Sequence, residues 1–285
     1  MKTKRIAGAL LALALGGLAD GTAAAQRVDL AGLDAAMPGP PTRVLVLGSV
    51  HLADASPAEG IAPAALAPVL DRLAAFRPEI VTIEALPGET CVLIRQRAAY
   101  RQMRDYCPDV TAARAATGLD VLPALDAIDA ALAAWPAHPS PAQRRHLAAL
   151  FLAAGEPASA LVQWWQLEAG ERRAGDGLDA ALVARLQTLE TAPNENYQIA
   201  ARLAARLGLQ RLYAVDDHLG DSLAAGDAPE FEAAIRKAWE GASEDALRAR
   251  QRVETLQRSG DWLATYRAVN DPAYLRLAIA SDFGQ

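Results

Sequence analysis

Arg43-Val44-Leu45-Val46-Leu47-Gly48-Ser49-Val50-His51 is a run of branched apolar residues that stops at a glycine and hands over to a histidine. An unbroken apolar run is how a parallel strand covered on both faces reads. Gly48 permits a tight turn or a close backbone approach where the strand ends. His51 then falls in the crevice outside the carboxyl end of the sheet, where open α/β folds bind their ligands. Two later stretches repeat the pattern. Glu79-Ile80-Val81-Thr82-Ile83-Glu84 ends in a carboxylate, and Arg211-Leu212-Tyr213-Ala214-Val215-Asp216-Asp217-His218 ends in two carboxylates and an imidazole. As parallel neighbours, the three strands bring His51, Glu84, Asp216 and His218 to one rim. The fold class expected is α/β, with a small, mainly parallel sheet.

Working outward, a polar loop over 53–60 leads to a helix over 61–76, in which Leu66, Val69, Leu70 and Leu73 keep helical spacing. Pro63 suits its first turn, whereas Pro68 should kink the helix or mark a later start. With the 79–84 strand this makes a right-handed β-α-β unit. From about 90 to 190 the sequence is helical, over 124–135, 141–154, 158–173 and 178–189, and only Val121-Leu122 has a strand-like look. Pro136, Pro139, Gly155, Pro157 and Gly175-Asp176-Gly177 separate these helices. An insertion of roughly 100 residues is too large for a loop and suits a cap over the crevice. A helix over 194–207, capped by Asn194 and ended by Gly208, leads into the third strand. Acidic helical runs at 229–240 and 243–258 and helix-like stretches at 262–269 and 274–279 follow. Residues 26–285 read as a single α/β domain with its helical insertion at about 90–190.

Lys2, Lys4 and Arg5, the apolar stretch 6–18, and Ala23-Ala24-Ala25 before Gln26 read as a secretory signal peptide over 1–25. The apolar stretch is too short to span a bilayer comfortably, so no stable membrane insertion is expected after cleavage. The mature protein is expected in the periplasm or outside the cell. Hydrophobic residues make up 52% of the 285, ample for a core. A formal net charge of −6 argues against nucleic acid as a partner, because phosphate contact needs clustered Lys and Arg. Export and an even cysteine count favour a Cys91–Cys107 disulfide over two separately buried thiols.

An imidazole and carboxylates at strand ends can do two jobs. His51, Glu84 and His218 can hold a divalent metal ion with an open position for water. Alternatively, the site works without metal, His51 acting as base toward water with a carboxylate orienting it. The catalytic set expected is His51, Glu84 and Asp216. Taken singly, each residue also has a bland account: a histidine capping a strand end, a glutamate in a salt bridge, acidic residues entering a helix. Convergence of three strand ends is what favours a site. Asp216 directly ends its apolar run, and alternation lets at most two of Asp216, Asp217 and His218 face the crevice. Asn194, Glu195 and Gln198 form a second polar edge, with Glu195 and Gln198 three apart on one helix face. The plain alternative is that Glu195 complements the helix dipole. His138 and His146 read as surface residues and Trp164-Trp165 as packing. There is no G-x-S-x-G elbow, P-loop, H-E-x-x-H or G-x-G-x-x-G.

Leu47-Gly48-Ser49-Val50-His51-Leu52, Ile83-Glu84 and Asn194-Glu195-Asn196-Tyr197-Gln198-Ile199 together resemble a bacterial domain-of-unknown-function family with a G-T-x-H-F strand end and an N-E-x-Y-Q-I helix. That family is similar to the TraB/GumN and TIKI proteins and more distantly to erythromycin esterase and ChaN. The resemblance covers most of the mature chain. It implies a mixed α/β core with a helical insertion, and a metal-dependent hydrolase whose G-x-x-H histidine and strand-end glutamate are His51 and Glu84 here. Those relatives carry a second G-x-x-H on a strand near the C-terminus; this sequence has none, so the expectation is either that the sequence stops before that strand, the preferred account, or that the site is incomplete and inactive. The expectation is an exported hydrolase cleaving an amide or ester bond of a small molecule or peptide. The alternative, which the ChaN resemblance allows, is a protein that binds haem or a metal in the same crevice without turnover.

Overall fold

The computed structural model describes residues 38–55, 61–222, 229–240 and 243–282. The expected signal peptide, 1–25, lies outside the described residues. The chain divides into two units, Met1–Val46 and Leu47–Gln285. In the first, residues 38–46 form no helix or strand, and Val44 and Val46 stand 76% and 86% exposed. The buried strand expected over 43–47 is therefore corrected. Its residues are strand-prone, but such propensity yields to tertiary context.

The second unit is mostly helical with a small sheet. Short α1 (Leu52–Ala55) and α2 (Pro63–Ala74) precede β1 (Thr82–Ile83). Then come α3 (Gly88–Gln96), a 3-10 segment (Ala98–Tyr106), α4 (Thr111–Thr117), α5 (Val121–Ala133), α6 (Pro141–Ala153), α7 (Pro157–Trp165) and α8 (Ala180–Thr191). A π-helical segment (Asn196–Ala201) runs into α9 (Arg202–Arg206), and β2 (Tyr213–Ala214) follows. α10 (Pro229–Glu240), α11 (Glu244–Ser259), α12 (Trp262–Val269) and α13 (Pro272–Asp282) close the chain. β1 and β2 pair in parallel, Thr82 opposite Tyr213 and Ile83 opposite Ala214. The second and third expected strands are thus neighbours, as read from sequence, but each is two residues long. Ile80 and Val215, expected inside a sheet covered on both faces, are 65% and 63% exposed.

Helix placement follows local chemistry. Pro63 opens α2, which carries Pro68 in its interior and buries Leu66, Val69 and Leu70. Ser140 and Gln143 form a reciprocal capping box at the start of α6. Asp179 caps α8 by accepting from the Leu182 N–H at 2.8 Å. Val121-Leu122 opens α5 rather than forming a strand.

The helical stretch 90–190 is not a cap but the body of the unit. α6 is buried on every side over residues 147–153, the mark of a central helix. Its cluster takes in Ile83 and Leu212 from the strand region. Gly88 is where α3 meets the end of α6: a Cβ there would collide with the Ala154 carbonyl oxygen. A second cluster gathers Leu52, Leu66, Val69, Ile199, Trp262 and Tyr266. Among the described residues no helix is long and apolar enough to cross a membrane.

Cys91 and Cys107 are joined by a disulfide spanning 16 positions. It closes the 3-10 segment over a small cluster of Leu86, Ile94 and Met103. Replacing both cysteines by serine should cost about 3 kcal/mol, the loop-closure entropy of a ring this size. A urea midpoint unchanged by the double replacement would show that packing alone holds the loop.

Candidate functional site

The main chain that carries His51 is clamped from α12. The Asn270 side chain accepts the Gly48 N–H at 2.8 Å and donates to the Gly48 carbonyl at 2.8 Å, as a neighbouring strand would. A Cβ at Gly48 would come within 3.2 Å of the Asn270 Oδ1, so this close approach suits glycine. Three residues on, His51 Nδ1 donates to Glu195 Oε1 at 2.8 Å. The Leu52 N–H donates to the other carboxylate oxygen at 3.2 Å. The Glu195 side chain is 15% exposed and that of His51 67%, so an inner carboxylate presents an outer imidazole. The Glu195 hydrogen bond, then its charge, raises the His51 pKa above the ordinary 6.5; burial opposes them, and Glu84 and Asp54 add smaller upward contributions.

Glu195 directly precedes the π-helical segment. Asn194 Oδ1 accepts from the Asn196 and Tyr197 N–H groups at 2.9 and 3.3 Å, which caps the turn. Asn196 Nδ2 donates to the Glu84 carbonyl at 2.8 Å and ties that turn to the end of β1. Beyond β2, the Val215 and Asp216 N–H groups donate to the Ile83 and Ala85 carbonyls at 3.1 Å. The parallel pairing thereby sets Asp216 beside the chain that carries Glu84.

These residues line a cleft of about 450 Å³. His51, Glu84, Asn194, Glu195, Asp216 and His218, all expected at the site, are in its walls. His218 Nε2 bonds to Asp216 Oδ2 at 2.8 Å, and its ring stacks on Tyr106 with centroids 3.9 Å apart. Gln198 is a correction. It is buried, donating from Nε2 to the Glu190 and Ala192 carbonyls at 2.9 Å and accepting from Arg202. The one-face argument assumed α-helical spacing, and the π turn rotates Gln198 away from Glu195. His138 and His146 are exposed and the Trp164 side chain is core.

Among the described residues no group of three or more His, Cys, Asp and Glu side chains stands close enough to hold an ion. His51 gives one ring nitrogen to Glu195 and His218 one to Asp216, a contact that metal-binding histidines also make.

Sequence reasoning missed the wall opposite the strands. Glu156 lines the cleft from the start of α7, ion-paired with Arg211 Nη2 at 3.1 Å and accepting from Ser159 Oγ at 3.2 Å. Burial outweighs Arg211 and pushes the Glu156 carboxyl above its ordinary value of 4.5. Ser159 also accepts the Leu212 N–H at 3.1 Å, fixing the chain just before β2. The available signal was Glu156-Pro157, a carboxylate set directly before a helix-opening proline.

Comparison of the chain with protein-family models, with curated proteins and with solved structures gave no match in any of the three.

Proposed function

We propose that the chain is an exported hydrolase cleaving an amide or ester bond in a small molecule or peptide, with His51 as general base toward water. The observation that carries this reading is the His51–Glu195 contact at 2.8 Å in the wall of the cleft. With Nδ1–H held by Glu195, the lone pair of Nε2 takes a proton from water as its oxygen attacks the carbonyl carbon. The Glu195 charge stabilises the imidazolium that forms. Collapse of the tetrahedral adduct expels the alcohol or amine, and the Nε2 proton goes to it. Glu84 adds negative charge near the imidazolium. Asp216, tied to His218, forms a polar wall for substrate. The resemblance to a domain-of-unknown-function family similar to the TraB/GumN and TIKI proteins is in keeping with hydrolysis, and its more distant likeness to ChaN with ligand binding in the same cleft.

The test is hydrolysis of a panel of aryl esters and peptide anilides, followed against pH. A base whose pKa is raised works only above that raised value, so the acid limb should lie above 6.5 in the wild type. Glu195→Gln removes both the hydrogen-bonded carboxylate and its charge, so the limb should move down toward 6.5. A limb that stays in place in that variant, or a panel that is untouched throughout, counts against the proposal.

A further inference from the structure

The 3-10 segment that ends at Tyr106 has little packing of its own. Met103 is its one buried side chain, and residues 98–99, 101–102 and 104–105 are exposed. A segment with so few buried apolar contacts opens easily unless something ties it down. Three ties join it to α3. The Cys91–Cys107 disulfide follows it directly, Arg104 Nη2 donates to the Arg95 carbonyl at 3.1 Å, and Arg95 Nη2 donates to the Pro108 carbonyl at 2.6 Å.

What these ties hold is one wall of the cleft. Tyr106 and Pro108 both line it, and Tyr106 is 52% exposed. The Tyr106 ring lies parallel to the His218 imidazole, within 3°. His218 is fixed in turn by Asp216, and the next residue, Leu219, packs on the disulfide's own cluster of Cys91, Ile94 and Met103. Leu86, just beyond β1, belongs to that cluster and also lines the cleft. Disulfide, ring pair and strand end therefore form one unit, carried by elements other than those that carry His51 and Glu195. A scattered apolar residue on a surface is ordinary. A half-exposed ring inside a concave site, parallel to a second ring, is a surface on which a flat ligand group can stack.

We propose that Tyr106 is a specificity-determining residue of the cleft: with His218 it offers a flat aromatic surface to a planar apolar group of the substrate, and the Cys91–Cys107 bond holds it there. The substrate class is then an ester or amide that carries an aryl group. That assignment rests on the hydrolase reading above; the aromatic wall as a binding surface does not. One stacking contact is worth about two- to tenfold in affinity.

The experiment uses the full chain and follows the His218 Hε1 proton by NMR, its signal being assigned by its loss in His218→Gln. The probes are phenylacetamide and cyclohexylacetamide, which differ in having a flat or a puckered ring. Phenylacetamide should shift the signal and bind about two- to tenfold more tightly than the cyclohexyl amide. A merely greasy patch would bind the cyclohexyl amide at least as well, which overturns the proposal. In Tyr106→Leu the signal should move downfield as it leaves the shielding of the tyrosine ring, and the preference should vanish. Tyr106→Phe should keep both. A His218 signal unmoved in Tyr106→Leu, or a preference lost in Tyr106→Phe, also overturns it. Cys91→Ser/Cys107→Ser, read at a temperature where its circular dichroism matches the wild type, should behave as Tyr106→Leu does. A wild-type signal and preference in that variant overturn the role of the disulfide. Aryl preference in a protein that hydrolyses nothing supports the wall and overturns only the hydrolase reading.

Discussion

His51→Ala is expected to lower kcat/KM by about 10²–10⁴-fold, the usual worth of a positioned general base. The loss should fall on kcat, because the imidazole is needed when the water proton moves and not when substrate settles in the cleft. Stability should hardly change: the side chain is 67% exposed and its ion pair with Glu195 is a rim contact. The measurement is a steady-state rate on the best panel substrate beside a melting curve. Full activity in the alanine variant would remove His51 from the mechanism and the hydrolase proposal with it.

Arg211→Met is expected to cost about 3–5 kcal/mol in stability, the penalty for leaving one partner of a buried ion pair without the other. Arg211 reaches both Glu156 and Asp129, and its guanidinium lies 5.0 Å above the Tyr213 ring. The exposed Asp129 contributes little, so the loss belongs to Glu156. The Glu156 carboxyl already binds its proton more tightly folded than unfolded. In the window above 4.5 the native state thus holds more protons than the unfolded one, and this group's contribution to stability falls as pH rises. Without Arg211 that fall should steepen, so urea unfolding of the variant should show most of its deficit near neutral pH and less near pH 4.5. An equal deficit at both pH values would assign the loss to packing instead.

What the sequence made legible was chiefly pairing and punctuation. Two strand ends carrying carboxylates were recognisable because apolar runs stop at charged residues, and Glu84 and Asp216 do line one cleft. The helices between them were legible because proline, glycine and capping residues mark their ends, as at Ser140 and Asp179. The 43–47 run misled because side-chain preference does not report whether a partner strand is at hand. Glu195 was seen, yet as a helix-face neighbour of Gln198, because nothing in a single sequence signals a π turn. Its role as the partner of His51 depends on a contact across 144 positions, which no local pattern encodes. Glu156 was invisible for a similar reason: burial, not residue type, makes it unusual.

That separation of 144 positions also orders events during folding. Parallel strands cannot be seeded by a hairpin, and the helices from α3 to α9 lie between the two halves of the cleft. Closing so long a loop is entropically unfavourable until those helices have condensed. A nascent or refolding chain therefore acquires its helical scaffold first and its reactive mouth last, so secondary structure alone is a poor witness that a molecule has become competent.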